Sequence, residues 1–203
     1  MHTNSRLAFT EHAARYFRDG DRVLEIAADG RPSTYQRHLS GQYEWKTADL
    51  ASEVTAWNDV SHVDYEMPTE YEVPAPDGAF DVVLSGNVME HVRRPWEWMQ
   101  EMARVTRPGG LVITIAPISW PYHEAPIDCW RAYPEGLRAL LEYSGLLVEH
   151  LWSGSLEARP SRRTFPGTGD VDDRNGLRWR MRRIVGWPTS IAYDVVGVAR
   201  KPS

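Results

Sequence analysis

The sequence has one cysteine, two lysines and no long apolar run. Because Cys129 is the single cysteine, an internal disulfide and a Cys-x-x-Cys metal or redox motif are both impossible, which favours a reducing, cytoplasmic setting. No stretch approaches the roughly 20 apolar residues that a membrane span needs, and the N-terminal stretch lacks the apolar core of a signal peptide. We therefore expect neither a disulfide scaffold nor a membrane protein.

What is present is typical of one globular domain over residues 1–203, with 42% hydrophobic and 25% charged residues. The net charge of −5 argues against a general nucleic-acid binder. The charge is uneven, because residues 159–183 hold eight arginines against three aspartates and are net +5, which leaves −10 for the remainder. This segment is either a solvated face or a surface for phosphates, carboxylates or sugar hydroxyls.

Apolar runs and helical spacings alternate along the chain, and Gly and Pro punctuate them. Such alternation predicts a mostly parallel sheet with helices on both faces. The predicted strands are 22–27, 43–47, a short one near 61–63, 80–84, 111–116, 146–152 and 191–199. The predicted helices are 7–17 (within an N-terminal helical region 1–20), 33–39, 96–105 and 135–143. A long Arg-rich connection, 153–188, joins the last two strands.

Four segments resemble, in order and spacing, the class I S-adenosylmethionine (SAM)-dependent methyltransferases. They are Val23-Leu-Glu-Ile-Ala-Ala-Asp-Gly30, Phe80-Asp-Val-Val-Leu84, Val88-Met-Glu-His-Val92 and Arg104-Val-Thr-Arg-Pro-Gly-Gly-Leu-Val-Ile113. The resemblance covers roughly residues 6–199. It implies an α/β fold, a Rossmann-like, doubly wound, mostly parallel seven-stranded sheet, with SAM bound beyond the carboxyl ends of the strands.

The resemblance also implies which residues hold the cofactor. Glu25 is the acid at the end of the first strand, followed by Ala27 and Ala28, although Ala27, Asp29 and Arg31 stand where the family has glycines. Asp49 would accept the ribose hydroxyls and Asp64 the adenine amino group. Leu50 and Tyr65 would flank the adenine ring, and Asn87 and His91 would lie near the methionine portion.

The segment Trp120–Pro134 follows the fifth predicted strand and is rich in aromatic and ionisable residues. It resembles the histidine-containing loop of a methyltransferase subgroup that is often encoded near sugar and glycan genes. An aliphatic hydroxyl is a poor nucleophile while protonated, so His123 is the candidate base, with Asp128 to orient it. Candidate acceptor-binding residues are Trp120, Tyr122, Glu124, Trp130 and Arg131, and the connection 153–188 would line the acceptor side.

These features predict a SAM-dependent O-methyltransferase that acts on a hydroxyl of a small polar acceptor, most plausibly a saccharide. Two alternatives stay open: a catalytically silent methyltransferase-like binding module, and a methyltransferase that acts on an amine or a carboxylate. The sequence leaves the metal requirement open, including a divalent cation at Glu124 and Asp128, and the oligomeric state as well.

Overall fold

The computed structural model describes residues 3–50, 63–124, 127–157, 164–166, 181 and 189–203. Its main sheet has seven strands in the order β3-β2-β1-β4-β5-β9-β6, and β7 and β8 form a separate parallel pair. The strands are β1 (Arg22–Ile26), β2 (Glu44–Leu50), β3 (Tyr65–Met67), β4 (Phe80–Gly86), β5 (Thr106–Ser119), β6 (Leu147–Gly154), β7 (Thr164–Pro166), β8 (Thr189–Ile191) and β9 (Tyr193–Arg200).

The predicted mostly parallel sheet is confirmed, and only one strand of the seven runs against the others. Strands β1 to β5 pair in parallel, whereas β9 is antiparallel to both of its neighbours, β5 and β6. The sheet is therefore mixed. The order reverses between β1 and β4, where α/β sheets bind their ligands.

Both faces of the sheet are covered. Alternate residues of β1 and β4 point to opposite sides, and one side packs against α2 (Pro95–Val105) and α3 (Pro134–Tyr143). The other side packs against an N-terminal helical segment, which consists of α1 (Thr3–Ala8), a π-helical turn (Phe9–Ala13) and a 3-10 turn (Ala14–Tyr16).

Asn4 ties this N-terminal segment to the far end of the chain. Its side-chain amide is buried; it donates to the carboxylate of Asp194 at 2.7 Å and to the carbonyl of Gly154 at 3.1 Å. Its side-chain oxygen accepts the main-chain N–H of Leu156 at 2.7 Å. One residue of α1 thus holds the end of β6 beside the start of β9.

Two predicted elements differ in the structure. The helix predicted over 33–39 is reduced to a single 3-10 turn, Gln36–His38; the side chain of Ser33 accepts the N–H of Gln36, while Thr34 bonds back to Asp29 in the loop. Of the short strand predicted near 61–63, residues 61 and 62 lie outside the described residues; the strand described next to it is Tyr65–Met67, in register with Ala48–Leu50.

Two further predictions concern the Arg-rich segment and the start of the fifth strand. All the arginines and aspartates of the 159–183 segment lie outside the described residues, so its role stays a prediction. Strand β5 begins at Thr106, before the Pro-Gly-Gly turn predicted to precede it, and shifts register against β4 there. Within the described part of the chain, none of the helices is both long and apolar enough to cross a bilayer.

We expect Gly110→Ala to destabilise the protein. A Cβ at Gly110 would lie 2.8 Å from the carbonyl oxygen of Asp81 and 3.0 Å from that of Arg107, so backbone must move. Overpacking of this kind lowers the free energy of unfolding by about 1–3 kcal/mol. Urea denaturation measures it, with Gly136→Ala on α3 as the control. A Cβ there meets nothing within 4 Å, so the control should gain up to about 1 kcal/mol. Equal stability of the two variants would contradict this account.

Candidate functional site

The turn after β1 takes the backbone path of a glycine-rich loop without its glycines. Ala27 has φ +53°, in the left-handed region that favours glycine, and its N–H donates to the carbonyl of Ala48 at 2.8 Å. Ala28 is buried beside it. The small side chain of alanine therefore occupies a position where most other residues would be strained further.

The two large side chains that replace the remaining expected glycines are bound elsewhere. The carboxylate of Asp29 accepts the main-chain N–H and the hydroxyl of Thr34, both at 2.7 Å, and so folds back onto its own loop. Arg31 extends toward the sheet edge, where it donates to Thr47 at 3.2 Å and pairs with Asp64. Each side chain has partners that hold it to one side of the turn.

Glu25 is buried in β1, near the end of the strand. Its carboxylate accepts the indole N–H of Trp45 at 3.0 Å and bonds with Ser33. Burial raises the pKa of Glu25 to about 7, although both hydrogen bonds oppose this. A carboxyl with this pKa exists in both protonation states near neutral pH.

A cavity of about 530 Å³ lies beyond the ends of β2 and β3, within the size range of small-molecule sites. Asp49 stands next to it, near the end of β2, and its carboxylate accepts the N–H of Leu50 at 2.8 Å. On the far side, the guanidinium of Arg94 lies 4.0 Å from the centre of the Tyr71 ring. The lining residues are Leu50, Pro68, Thr69, Glu70, Tyr71, Arg93 and Arg94.

The shift of β3 along the sequence changes the setting of Asp64 and Tyr65. Asp64 precedes β3 instead of following it; its carboxylate accepts the N–H of Thr47 at 2.9 Å and pairs with Arg31 and Lys46. Tyr65 is the first residue of the strand and packs edge-on against Phe80, with ring centres 5.9 Å apart. Contact of either residue with adenine stays a prediction, and both have structural partners already.

The end of β4 is joined to the loop that follows β5. Asn87 has φ +58° and donates its N–H to the carbonyl of Ile115, and a 3-10 turn (Met89–His91) follows. The carbonyl oxygen of Glu90 accepts the N–H groups of Cys129, at 2.7 Å, and Trp130, at 3.2 Å. The ring Nδ1 of His91 bonds to the carbonyl of Ile127. These bonds fix the loop over the tip of β4.

Two predicted site residues, His123 and Asp128, lie together within this loop. Their Nδ1 and Oδ2 atoms are 3.4 Å apart, and Asp128 also accepts the N–H of His123 at 2.9 Å. Burial opposes ionisation of Asp128, but hydrogen bonds from Arg131 and from the N–H of His123 lower its pKa below the usual value. Asp128 is thus a stable anion beside the His123 ring.

The His123 ring has one nitrogen fixed and one available. Nδ1 lies 3.1 Å from the carbonyl of Pro121, which can only accept, so the neutral ring carries its proton on Nδ1. Nε2 then holds the lone pair. The ring of His91 meets that of His123 edge to face, with centres 4.9 Å apart. Burial lowers the pKa of His91, so this neighbour is neutral near pH 7.

The remaining predicted acceptor residues divide between the loop interior and its surface. Arg131 donates to Asp128 at 2.6 Å and to the carbonyls of Trp120 and Pro121, so its guanidinium is used inside the loop. Trp130 donates its indole N–H to the carbonyl of Val92 at 2.8 Å and is 41% exposed. Tyr122 is 71% exposed and donates to Glu124 at 2.9 Å. Acceptor binding by these five residues stays a prediction.

Neither Glu124 nor Asp128 belongs to a metal centre in the described part of the chain. Among those residues, no group of three or more His, Cys, Asp or Glu side chains is arranged to hold a metal ion. The requirement for a divalent cation stays open.

The structure adds residues that the sequence did not single out. Thr69 and Glu70 follow β3 and line the cavity, at the position in the fold where the sequence prediction placed Asp64. The alternation Tyr65-Glu66-Met67 before Pro68 is the sequence pattern that could have indicated this strand. The side chain of Glu90 is buried and has an unpaired oxygen. Nothing in the local sequence indicates that burial.

Comparison with known proteins points to one family. A family model described as a methyltransferase domain matches residues 32–114. An uncharacterized methyltransferase of Mycobacteroides abscessus is 34% identical over 108 residues, which cover 53% of this chain and 38% of that protein. The chain thus matches well under half the length of that relative.

Solved structures share the fold. A Bacillus halodurans protein superposes with a TM-score of 0.64 at 16% identity, over 97% of this chain and 99% of that one. Phosphoethanolamine N-methyltransferase 2 of Haemonchus contortus, solved with SAM, has a TM-score of 0.59 at 14% identity, over 98% of this chain and 53% of that one. The family model and the relative match part of this chain as a methyltransferase domain, and the two solved structures share its fold. They do not select an acceptor.

We expect Ala27→Gly to stabilise the protein. Glycine removes the strain of a left-handed alanine, which is about 1–2 kcal/mol, and adds chain entropy to the unfolded state, so the net gain is up to about 1 kcal/mol. Chemical denaturation measures it. Ala28→Gly is the control and should lose about 0.5–1 kcal/mol. If both glycine variants were destabilised alike, the strain at Ala27 would be refuted.

Proposed function

We propose that this chain is a SAM-dependent O-methyltransferase that methylates a hydroxyl of a small polar acceptor, with His123 as the base. The observation that carries this proposal is the His123–Asp128–Arg131 arrangement, which holds an available imidazole nitrogen over the end of β4. A hydroxyl needs such a base, whereas an amine does not when it reaches the site unprotonated.

The residues at the strand ends fit the cofactor. Ala27 keeps a glycine-like backbone, and Asp29 and Arg31 are bound to other partners. Three buried hydroxyl oxygens have no hydrogen-bond partner, namely those of Tyr35 in the segment after β1, of Ser85 near the end of β4 and of Thr114 opposite Ser85 on β5. Unpaired buried polar atoms are rare in folded proteins and are common where a ligand supplies the partner.

Glu25, Ala27, Ala28 and Asn87 would hold the methionine portion, and Asp49, Leu50 and the adjoining cavity would hold the adenosine. When bound, SAM supplies a methyl group that is activated by its attachment to a sulfonium. The protein's part is to orient the acceptor oxygen in line with that methyl group and to remove the hydroxyl proton. His123 takes this proton at Nε2 while its Nδ1–H remains bonded within the loop.

Asp128 and Arg131 are positioning residues in this scheme. Asp128 stabilises the imidazolium that forms when His123 accepts the proton, and Arg131 fixes Asp128 with paired hydrogen bonds. The exposed rings of Tyr122 and Trp130 support a saccharide acceptor, since aromatic faces stack on the apolar faces of sugar rings. Glu124 beside Tyr122 would accept sugar hydroxyls.

Titration calorimetry with SAM and with S-adenosylhomocysteine tests cofactor binding first. Heat of binding supports a functional enzyme, whereas no binding of either ligand would overturn the proposal. Transfer of radiolabelled methyl groups is then screened across saccharides, amines and carboxylates. Labelling confined to amines or carboxylates would overturn the hydroxyl assignment, and cofactor binding without transfer to any class would favour a silent binding module.

We expect His123→Ala to reduce kcat by about 10²–10⁴-fold without a matching change in the affinity for SAM, because the variant loses the base but keeps the strand ends intact. Steady-state kinetics with the acceptor from the screen measures kcat. The exposed His38 outside the loop provides the control, and His38→Ala should keep wild-type turnover. Near-normal turnover of His123→Ala would remove His123 from the chemistry.

We expect Asp128→Asn to lower kcat and to shift the pH profile. Without the anion, the imidazolium of His123 is less stable, so the imidazole is a weaker base and turnover falls by about tenfold or more. The acidic limb of the kcat profile should move to lower pH, because the anion that favours the protonated form of the base is gone. A variant with reduced kcat but an unmoved limb would indicate that Asp128 acts only by folding the loop.

A further inference from the structure

The Glu90 carboxyl is the buried acid at the end of β4 that the proposed chemistry does not use. Glu90 is 2% exposed, and its Oε2 atom is buried without a hydrogen-bond partner. Its Oε1 atom lies 3.9 Å from Nε2 of His91. The main chain of Glu90 is fixed by the two loop N–H groups that its carbonyl accepts, so the side chain has a defined place.

The charges that face Glu90 do not compensate an anion. Asp194 on β9 and Asp128 on the loop are like charges, and Tyr35, after β1, is a neutral phenol nearby. The neutral ring of His91 lies on its own turn. Arg131 is the cation that acts on Glu90, but its guanidinium is bonded to Asp128 and to loop carbonyls. A buried acid in such surroundings is retained in its neutral form.

We propose that Glu90 is a cofactor-facing residue that holds a proton in the ligand-free protein and releases it when a positively charged group of the cofactor binds beside it. The Glu90 O–H bond breaks, the proton passes to solvent, and the resulting carboxylate becomes the counter-ion of the bound cation. This inference rests on the proposed function, because SAM supplies two such charges, a sulfonium and an ammonium.

The position of Glu90 supports this assignment. Glu90 follows Gly86 and Asn87 at the end of β4, beside the point where the strand order reverses. The phenol of Tyr35 contacts this end too, since a Cβ at Gly86 would lie 2.1 Å from the Tyr35 hydroxyl. The unpaired oxygens of Tyr35 and Glu90 therefore lie at the same end of this strand.

The pKa values of the two buried glutamates set the conditions for a test. Burial raises the pKa of Glu90 to about 8 and that of Glu25 to about 7. At pH 8, Glu90 therefore keeps its proton in a larger share of the molecules than Glu25 does. Proton release on binding at this pH reports mainly on Glu90.

Titration calorimetry at pH 8 in phosphate and in Tris, which differ in ionisation enthalpy, gives the number of protons released per ligand bound. We expect the wild-type protein to release protons on binding SAM, and Glu90→Gln to lose this release. Glutamine resembles the protonated acid in shape, and near-ultraviolet circular dichroism checks its fold. Glu142→Gln, at an exposed acid on α3, is the matched control and should release protons as the wild type does.

Three ligands distinguish the charge that acts on Glu90. SAM carries both charges, S-adenosylhomocysteine carries the ammonium alone, and methylthioadenosine carries neither. Proton release on binding SAM alone identifies the sulfonium as the charge that acts on Glu90. Proton release on binding both SAM and S-adenosylhomocysteine identifies the ammonium. Equal release by methylthioadenosine, or unchanged release in Glu90→Gln, would overturn the inference while cofactor binding stands. If the wild type binds neither SAM nor S-adenosylhomocysteine, the proposed function fails, and this inference fails with it.

Discussion

The two hydrogen bonds from Cys129 and Trp130 to the carbonyl of Glu90 are the contact on which the site depends. They join the end of β4 to the loop after β5. His91 adds a third bond to this loop through Ile127. With the loop fixed at these points, the short-range bonds of Asp128 and Arg131 suffice to orient His123. A rigid scaffold that positions a loop is the usual way in which proteins place catalytic groups.

The buried carboxyl side chains of the site are of two kinds, those that stay ionised and those whose pKa is raised. Asp128 is a buried acid with a guanidinium and an N–H as partners, and it stays ionised. Glu25 and Glu90 are buried acids without a cation bonded to them, and their pKa values are raised. A carboxyl group thus serves as a permanent anion or as a group that holds a proton, and the difference lies in the partners that the fold supplies.

Much of the fold could be predicted because the buried strands have a clear sequence pattern. The runs Phe80–Leu84 and Leu111–Ala116 are apolar and bounded by Gly or Pro, and both are central strands. Strand β3 was misplaced, since its segment is short, polar and interrupted by prolines, so register with β2 decides its position. Tertiary context decided the loss of the helix at 33–39 as well.

The site could be predicted in its residue types more than in its contacts. The pairing of His123 with Asp128 followed from their spacing in a loop after a strand, and the structure brings the two side chains together. Arg131 was assigned to the acceptor, because sequence cannot show that its donors are used inside the loop. The burial of Glu90 depends on residues from β9 and from the loop, which no local pattern reveals.

The position of β9 between β5 and β6 determines the order in which the sheet can be completed. On the ribosome, residues 193–200 emerge after all the other strands, so β6 has no partner in the sheet until then. Asn4, synthesised long before Asp194, likewise has no such partner until then. The nascent domain therefore stays open along this seam until residues 193–200 are available to close it.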